Sequence, residues 1–108
     1  NGAAGYKAYI TTNTAETALT STYNGNTYKI NPLASSVAKA SFTTNSWGYS
    51  INDTTYAGVP AANATTALVS SATAPANNTT RVSIGAKVDN NQASGNYSNT
   101  VVFTAIAN

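Results

Sequence analysis

The side chains that could do chemistry in this chain are few and far apart. Its 108 residues include no His and no Cys, with three acidic and five basic residues. Ser–His and Cys–His nucleophilic catalysis therefore lack a base, and zinc, iron–sulfur and haem sites lack their ligands. Separated carboxyls also offer little for general acid–base catalysis. We expect a protein without enzymatic activity, bound metal or cofactor.

Two of the acidic residues lie in runs that resemble calcium-binding loops. Asp53 lies between Asn52 and Thr54, and Asp89 begins an Asp-Asn-Asn run. Calcium takes about six to eight oxygen ligands, usually with several carboxylates, so either set is poor. Asx turns are the ordinary structure of such sequences. We therefore expect turns at both positions.

Lys7, Glu16 and Asn108 are the residue types of an isopeptide crosslink, in which an acid promotes amide formation between Lys and Asn. Lys7 on the first strand and Asn108 at the chain end suit this arrangement. Glu16, however, lies among Thr and Ala in a segment typical of an exposed loop, where its carboxyl is ionised and ineffective. Solvated lysines are the expected outcome.

The Asn-x-Ser/Thr motif for glycosylation begins at Asn52, Asn63, Asn77, Asn78 and Asn96. In a chain rich in Asn and Thr, such matches arise largely by chance. Modification at any of them depends on whether the source has the glycosylation machinery.

The aromatic residues Trp47, Tyr49 and Tyr56 could form a platform that stacks on sugars. The simpler interpretation is that Trp47 packs between sheets, because aromatic side chains dominate the buried surface of small domains. A buried Trp47 ring would exclude the platform. Tyr97, shortly before the last strand, is expected to hydrogen-bond back to the backbone, as a corner tyrosine does in β-sandwiches.

Alternating polar and apolar residues predict strands, and helical periodicity is nowhere convincing. Residues 5–11 and 46–51 read as short strands, and Asn24-Gly25 between β-forming segments is a strong hairpin signal. The alternation is clearest at 80–88 and in the terminal strand, 97–107. Several short strands separated by turn residues predict an all-β fold, an antiparallel β-sandwich.

The last two strands are expected to supply much of the core. Four of their side chains should be among the most buried: Val82, Ile84, Val101 and Phe103. They should face Tyr6, Ile10 and Trp47 across the sandwich. Replacing Phe103 by Ala would then cost about 3–5 kcal/mol of stability.

Length, charge and composition fit a single extracellular domain over residues 1–108. Charged residues make up 7% of the chain and the net charge of +2 forms no basic stripe, so nucleic acid is not an expected partner. No apolar run approaches the roughly 20 residues of a membrane-spanning helix, and we expect no membrane insertion by this segment. Richness in Thr, Asn, Ser and Tyr, with few Lys and Glu, favours an extracellular or cell-surface location.

Four segments follow one another along the chain: Gly5-Tyr6, Trp47-Gly48-Tyr49, Tyr56-Ala57-Gly58-Val59-Pro60, and the terminal run from Ser94 to Asn108. In this order they resemble the G-Y, WGY, Y-x-GVP and SGTYTNTVVFTATAN segments of a family of secreted domains from ultrasmall candidate-phylum (Saccharibacteria-type) bacteria. The last strand is also similar to spore-coat-U-type and pilin-like sandwiches. The resemblance implies an Ig-like or pilin-like β-sandwich at the cell surface, with pilus or adhesin roles and no catalytic residues.

Domains of this family have a further strand before the Gly-Tyr segment, whereas this sequence starts four residues upstream of Gly5. The resemblance therefore implies a sheet that is one strand short and is completed by another segment.

The run from Val101 to Ala107 contains no charge, Pro or Gly. Alternation places Val102 and Ile106 on the face opposite Phe103, so the strand is apolar on both sides. Such a strand is normally covered on both sides, and at an open edge it is prone to aggregation. We expect it to associate with copies of the chain or with a longer parent protein through Val102 and Ile106. The alternative is that the loop at 56–64 folds over both residues.

These observations favour a non-enzymatic extracellular protein that is a subunit or domain of a cell-surface assembly, such as a pilus or filament. The alternative is an adhesion module that binds glycans or host surfaces, with Trp47, Tyr49 and Tyr56 as its candidate platform.

Overall fold

The computed structural model describes residues 5–65, 68–71 and 79–107. Within these ranges the chain is all β, with one 3₁₀ turn at Lys39–Ser41. The strands are β1 (Tyr6–Thr12), β2 (Leu19–Tyr23), β3 (Asn26–Pro32), β4 (Val37–Ala38), β5 (Ser46–Ser50), β6 (Thr55–Tyr56), β7 (Val69–Ser71), β8 (Ser83–Lys87) and β9 (Val101–Ala107).

Two sheets packed together make a β-sandwich, which confirms the predicted fold class. The first sheet has the order β7-β1-β9 and is antiparallel, and the second has the order β2-β3-β5-β8. In the second sheet the β3–β5 pair is parallel and the other pairs are antiparallel. Residues 33–45 make the connection of a dozen or more residues that a parallel pair requires. They include β4, which pairs with β6 in a separate short ribbon.

The β2–β3 hairpin follows from Asn24-Gly25, as predicted. Tyr23 pairs with Asn26, so the turn consists of the two residues between them. Both have a positive φ, 50° for Asn24 and 77° for Gly25. A type I′ turn needs positive φ at both positions, and Asn and Gly adopt it at the lowest cost.

The core lies where the two sheets face each other at Ile10 and Trp47. Each of these side chains is 1% exposed, and Ile30 and Val59 are buried beside them. The indole Nε1 of Trp47 donates a hydrogen bond to Thr17 O at 2.9 Å, which satisfies the polar atom of the ring inside the fold. Trp47 therefore connects β5 both to β1 and to the loop that follows β1.

The prediction of the most buried residues is wrong, because none of the four predicted side chains is among the buried residues of the core. Ile84 is 55% exposed and Phe103 is 59% exposed, whereas Val82 and Val101 are half-buried and pack against the core. Ile84 and Phe103 are each paired, on the neighbouring strand, with a residue on the face that points toward the other sheet. The predicted alternation of the two strands is therefore correct. The side chains stay exposed because β8 and β9 are the outermost strands of their sheets, where less of the opposite sheet covers them.

A further layer, built around β4 and β6, covers β5 on its other face. Ala57 exchanges two backbone hydrogen bonds with Tyr49, at 2.8 and 2.9 Å. The rings of Tyr56 and Phe42 meet edge to face with their centroids 5.5 Å apart. Gly48 lies beneath this layer, and a Cβ at this position would overlap the carbonyl oxygen of Ala57. The close approach of the two backbones therefore requires glycine.

Candidate functional site

β9 contains the residues predicted to mediate association, and it lies at one edge of the first sheet. It pairs with β1 in an unbroken register from Tyr6↔Ala107 to Thr12↔Val101. On its other side, no strand within the described ranges pairs with it. A strand of this length with a free edge can pair with another chain.

The hydrogen bonds to β1 determine which backbone groups of β9 face the open edge. Asn13 N donates to Thr100 O at 3.0 Å, in continuation of the β1–β9 register. In an antiparallel ladder, alternate residues direct their N–H and C=O groups to the same side. The β9 residues that bond to β1 are therefore Val102, Thr104 and Ile106. The residues whose N–H and C=O point to the open edge are Val101, Phe103, Ala105 and Ala107.

The outer face of β9 carries Val102, Thr104 and Ile106. Ile106 is 50% exposed and stands opposite Lys7 in the ladder, whereas Val102 is half-buried. The three residues border an open groove of about 440 Å³, whose other lining residues are Tyr9, Thr11, Thr12, Asn13, Ala62, Asn63, Ala64 and Thr65. Sequence reasoning missed Tyr9 and Thr104, although the alternation of β1 and β9 places both on this face once the register is known.

The loop after β6 borders this groove without closing it. Thr12 N donates to Pro60 O at 2.8 Å, and Ala62 N donates to Thr14 O at 3.1 Å. Thr12 is one of the β1 residues that do not bond to β9, so this loop runs along the side of β1 opposite β9. Ile106 remains half exposed, and the alternative of a loop that shields both Val102 and Ile106 is therefore wrong for Ile106.

The inner face of β9 is also open, around Phe103. A second groove of about 340 Å³ is lined there by Tyr6, Ala8, Leu68, Val69, Thr80, Val82 and Phe103. Most of these side chains are apolar. β9 thus presents an exposed apolar side chain on each face, Phe103 on the inner one and Ile106 on the outer one.

The stacking platform expected of Trp47, Tyr49 and Tyr56 is not formed. Trp47 and Tyr56 are buried, and Tyr49 is half-buried against the core. The Tyr56 ring contacts Phe42, and its hydroxyl donates to a carboxylate oxygen of Asp53. Rings enclosed in this way offer no free face to a sugar.

The Asx turns expected at Asp53 and Asp89 are present. Next to Asp53, the side-chain oxygen of Asn52 accepts a hydrogen bond from Thr54 N at 2.9 Å. The Asp89 carboxylate accepts one from Asn91 N at 2.9 Å. Among the residues that the structure describes, no three His, Cys, Asp or Glu side chains come together as a metal site would require.

Hydrogen-bond donors lower the pKa of two solvent-accessible carboxyls. The Tyr56 hydroxyl, and then the Lys39 ammonium at 3.1 Å, hold the pKa of Asp53 below its ordinary value. The same bonds raise the pKa of Lys39 and of Tyr56. The Lys29 ammonium, 2.6 Å from the carboxylate, lowers the pKa of Glu16 in the same way. Both carboxyls are therefore ionised at neutral pH and serve as surface ion-pair partners.

The described residues do not assemble the isopeptide arrangement. Lys7 is exposed, and Glu16 is paired with Lys29. Asn108 lies outside the residues that the structure describes. The carboxylate of Glu16 also accepts a hydrogen bond from Ala18 N at 3.1 Å, as an ionised loop residue would.

The glycosylation motifs differ in their surroundings. The side-chain oxygen of Asn52 accepts hydrogen bonds from two backbone N–H groups, at 2.9 and 3.0 Å. Asn63 and Asn96 are exposed, and Asn77 and Asn78 lie outside the described residues. Asn63 also lines the groove on the outer face of β9.

Tyr97 is a corner tyrosine, as predicted. Its hydroxyl donates to Ala93 O at 2.6 Å and accepts from Gln92 Nε2 at 3.0 Å. Nearby, Asn99 Nδ2 donates to two backbone carbonyls of the loop after β1, both at 2.8 Å. Sequence reasoning missed Asn99, because its partners are distant in the chain. Together these bonds position the segment that leads into β9.

No helix in the described part of the chain is long and apolar enough to cross a membrane. Comparison with protein-family models, with curated proteins and with solved structures finds no match to this chain.

Proposed function

We propose that this chain is a non-enzymatic extracellular protein, a subunit or domain of a pilus-like or filament-like assembly at the cell surface. It joins copies of itself, or a longer parent protein, through β9. One observation carries the proposal: β9 is an uncharged edge strand of seven residues with an exposed apolar side chain on each face.

The composition of β9 differs from that of a protected edge. Monomeric β-proteins protect edge strands with Lys, Pro, bulges or covering loops. β9 contains neither Lys nor Pro, and its register with β1 is continuous. Addition of a strand from another chain would pair the free backbone groups and bury apolar surface at the same time. The resemblance to secreted β-sandwich domains supports the extracellular setting.

Adhesion to glycans or host surfaces is the second candidate function, and the groove of about 440 Å³ favours it. The lining of this groove is uncharged and combines the Tyr9 ring with Thr and Asn side chains. An aromatic ring with a few polar groups suits a neutral sugar. Glycan-array binding by a monomeric protein, lost in Tyr9→Ala, would favour adhesion over assembly.

Light scattering after size exclusion, together with electron microscopy of the native material, tests the proposed assembly. We expect the wild-type chain to form dimers or larger assemblies and the double variant Val102→Lys, Ile106→Lys to be a folded monomer. A control with the same added charge, Thr22→Lys with Thr43→Lys, changes exposed residues outside β9 and should assemble as the wild type does.

A second variant separates assembly from folding. Ala105→Pro removes an N–H group that faces the open edge and leaves the ladder to β1 intact. We expect a monomer with unchanged circular dichroism. A wild-type chain that remains monomeric at high concentration, or folded variants that assemble normally, would overturn the proposal.

A further inference from the structure

We propose that two copies of this chain pair through their β9 edges in antiparallel orientation, with a two-fold axis at Thr104. The β7-β1-β9 sheets of the two copies then form one continuous six-stranded sheet, β7-β1-β9-β9-β1-β7. This inference rests on the proposed assembly through β9 and specifies its partner, its orientation and its register.

The free backbone groups select the register. Val101, Phe103, Ala105 and Ala107 direct their N–H and C=O groups to the open edge, so a paired strand must place its own edge-facing residues opposite them. An antiparallel register with Val101 opposite Ala107 of the other copy, and Phe103 opposite Ala105, pairs all four residues of both copies. A shift of two residues in either direction leaves at least one residue of each copy without a partner.

The same register also matches the side chains. On the outer face, Val102 stands opposite Ile106 of the other copy, and Thr104 stands opposite Thr104. Apolar cross-strand pairs of this kind stabilise antiparallel sheets. The nearest charge on this face of the first sheet, Lys7, lies on β1, one strand away from the new ladder. Among the described residues, no like charges therefore meet across the two-fold axis.

The geometry of the outer face suits the second copy. The loop at 60–62 is bonded on the other side of β1, so it leaves the open edge of β9 free. The interface is isologous, because the same residues of each copy meet their counterparts about the two-fold axis. Ile106, half exposed in the single chain, gains a partner on the neighbouring strand.

Cysteine crosslinking tests the register directly, because the natural chain contains no Cys. Facing residues of a non-hydrogen-bonded pair have Cα atoms about 4.5 Å apart, within the range that a disulfide spans. Thr104→Cys alone should therefore convert under mild oxidation to a species of twice the monomer mass. Val102→Cys alone and Ile106→Cys alone should not, because like residues are about 14 Å apart in this register. A mixture of these two variants should crosslink.

Three results would overturn this inference. Crosslinking of Val102→Cys with itself would show a different register. If Thr104→Cys gives no crosslinked product although light scattering shows a wild-type dimer, the proposed register and orientation are wrong. Assembly through β9 would then stand only if the Val102→Lys, Ile106→Lys variant is monomeric. A wild-type chain that is monomeric in light scattering would overturn both the inference and the proposed function. Thr22→Cys, at an exposed site on β2, is the matched control and should remain uncrosslinked.

Discussion

Trp47 and Phe103 are both aromatic residues on inner sheet faces, but their surroundings differ. Trp47 is enclosed and hydrogen-bonded to Thr17 O, whereas Phe103 is more than half exposed at a sheet edge. Trp47→Ala should lower the free energy of unfolding by about 3–5 kcal/mol. Phe103→Ala should cost only about 1 kcal/mol, because less than half of its side chain leaves water on folding. Urea denaturation of dilute protein measures both, and equal losses would contradict this placement of the core.

The carboxyl groups predict how stability depends on pH. Hydrogen bonds from Tyr56 and Lys39 lower the pKa of Asp53, the bond from Lys29 lowers that of Glu16, and the amide of Asn45 lowers that of Asp89. A group whose pKa is lowered by folding stabilises the protein fully above its unfolded pKa, and this contribution is lost as the pH falls through the folded value.

We therefore expect the free energy of unfolding to decrease on acidification below about pH 4, where unfolded carboxyls bind protons. Asp53→Asn should reduce this pH dependence, because it removes the titrating carboxyl. The backbone should be unchanged, since Asn also tolerates the positive φ of 58° at this position. Chemical denaturation at neutral and acidic pH makes the comparison. A variant with the same acid sensitivity as the wild type would show that Asp53 contributes nothing to it.

β5 depends on the close approach of the layer built around β4 and β6. Gly48→Ala would place a methyl group against the carbonyl oxygen of Ala57, which is held by two backbone hydrogen bonds between Ala57 and Tyr49. We expect a loss of about 1–3 kcal/mol, as in other overpacked sites. Gly25→Ala tests the requirement for a positive φ and not the requirement for space. A Cβ at this position would meet no atom within 4 Å, but the residue has a φ of 77°. Thermal denaturation in which Gly48→Ala matches the wild type would contradict the close packing.

Local signals in the sequence predicted the elements that depend on neighbouring residues. Asn24-Gly25 predicted the hairpin because its turn conformation is set by these two residues. Tyr97 was predicted because its hydrogen-bond partner lies four residues away. The alternation of Val101–Ala107 likewise predicted which side chains share a face of β9.

Long-range pairing could not be predicted in the same way. Alternation shows which face of a strand is apolar, but it does not show whether another strand lies beside it. Ile84 and Phe103 were therefore expected in the core, although β8 and β9 lie at sheet edges. Trp47, Tyr49 and Tyr56 had two interpretations because a sequence does not distinguish a buried aromatic cluster from an exposed one.

The fold is elongated, with principal extents of 52 × 30 × 20 Å. An elongated domain has more surface for its volume than a compact one. Few of the large side chains that the structure describes are fully buried. Small domains of this kind gain much from association, because an interface buries apolar surface that the single chain leaves exposed. Edge pairing through β9 adds such burial without any change in the fold.

Amide hydrogen exchange in β9, followed by NMR at several protein concentrations, tests assembly through this strand most directly. In dilute protein, the amides of Val102, Thr104 and Ile106 should be protected by β1, while those of Phe103 and Ala105 exchange rapidly. As the concentration rises and the β9 edges pair, Phe103 and Ala105 should become protected as well. If these two amides exchange equally fast at all concentrations while the protein assembles, β9 is not the interface, and this result would contradict assembly through the strand.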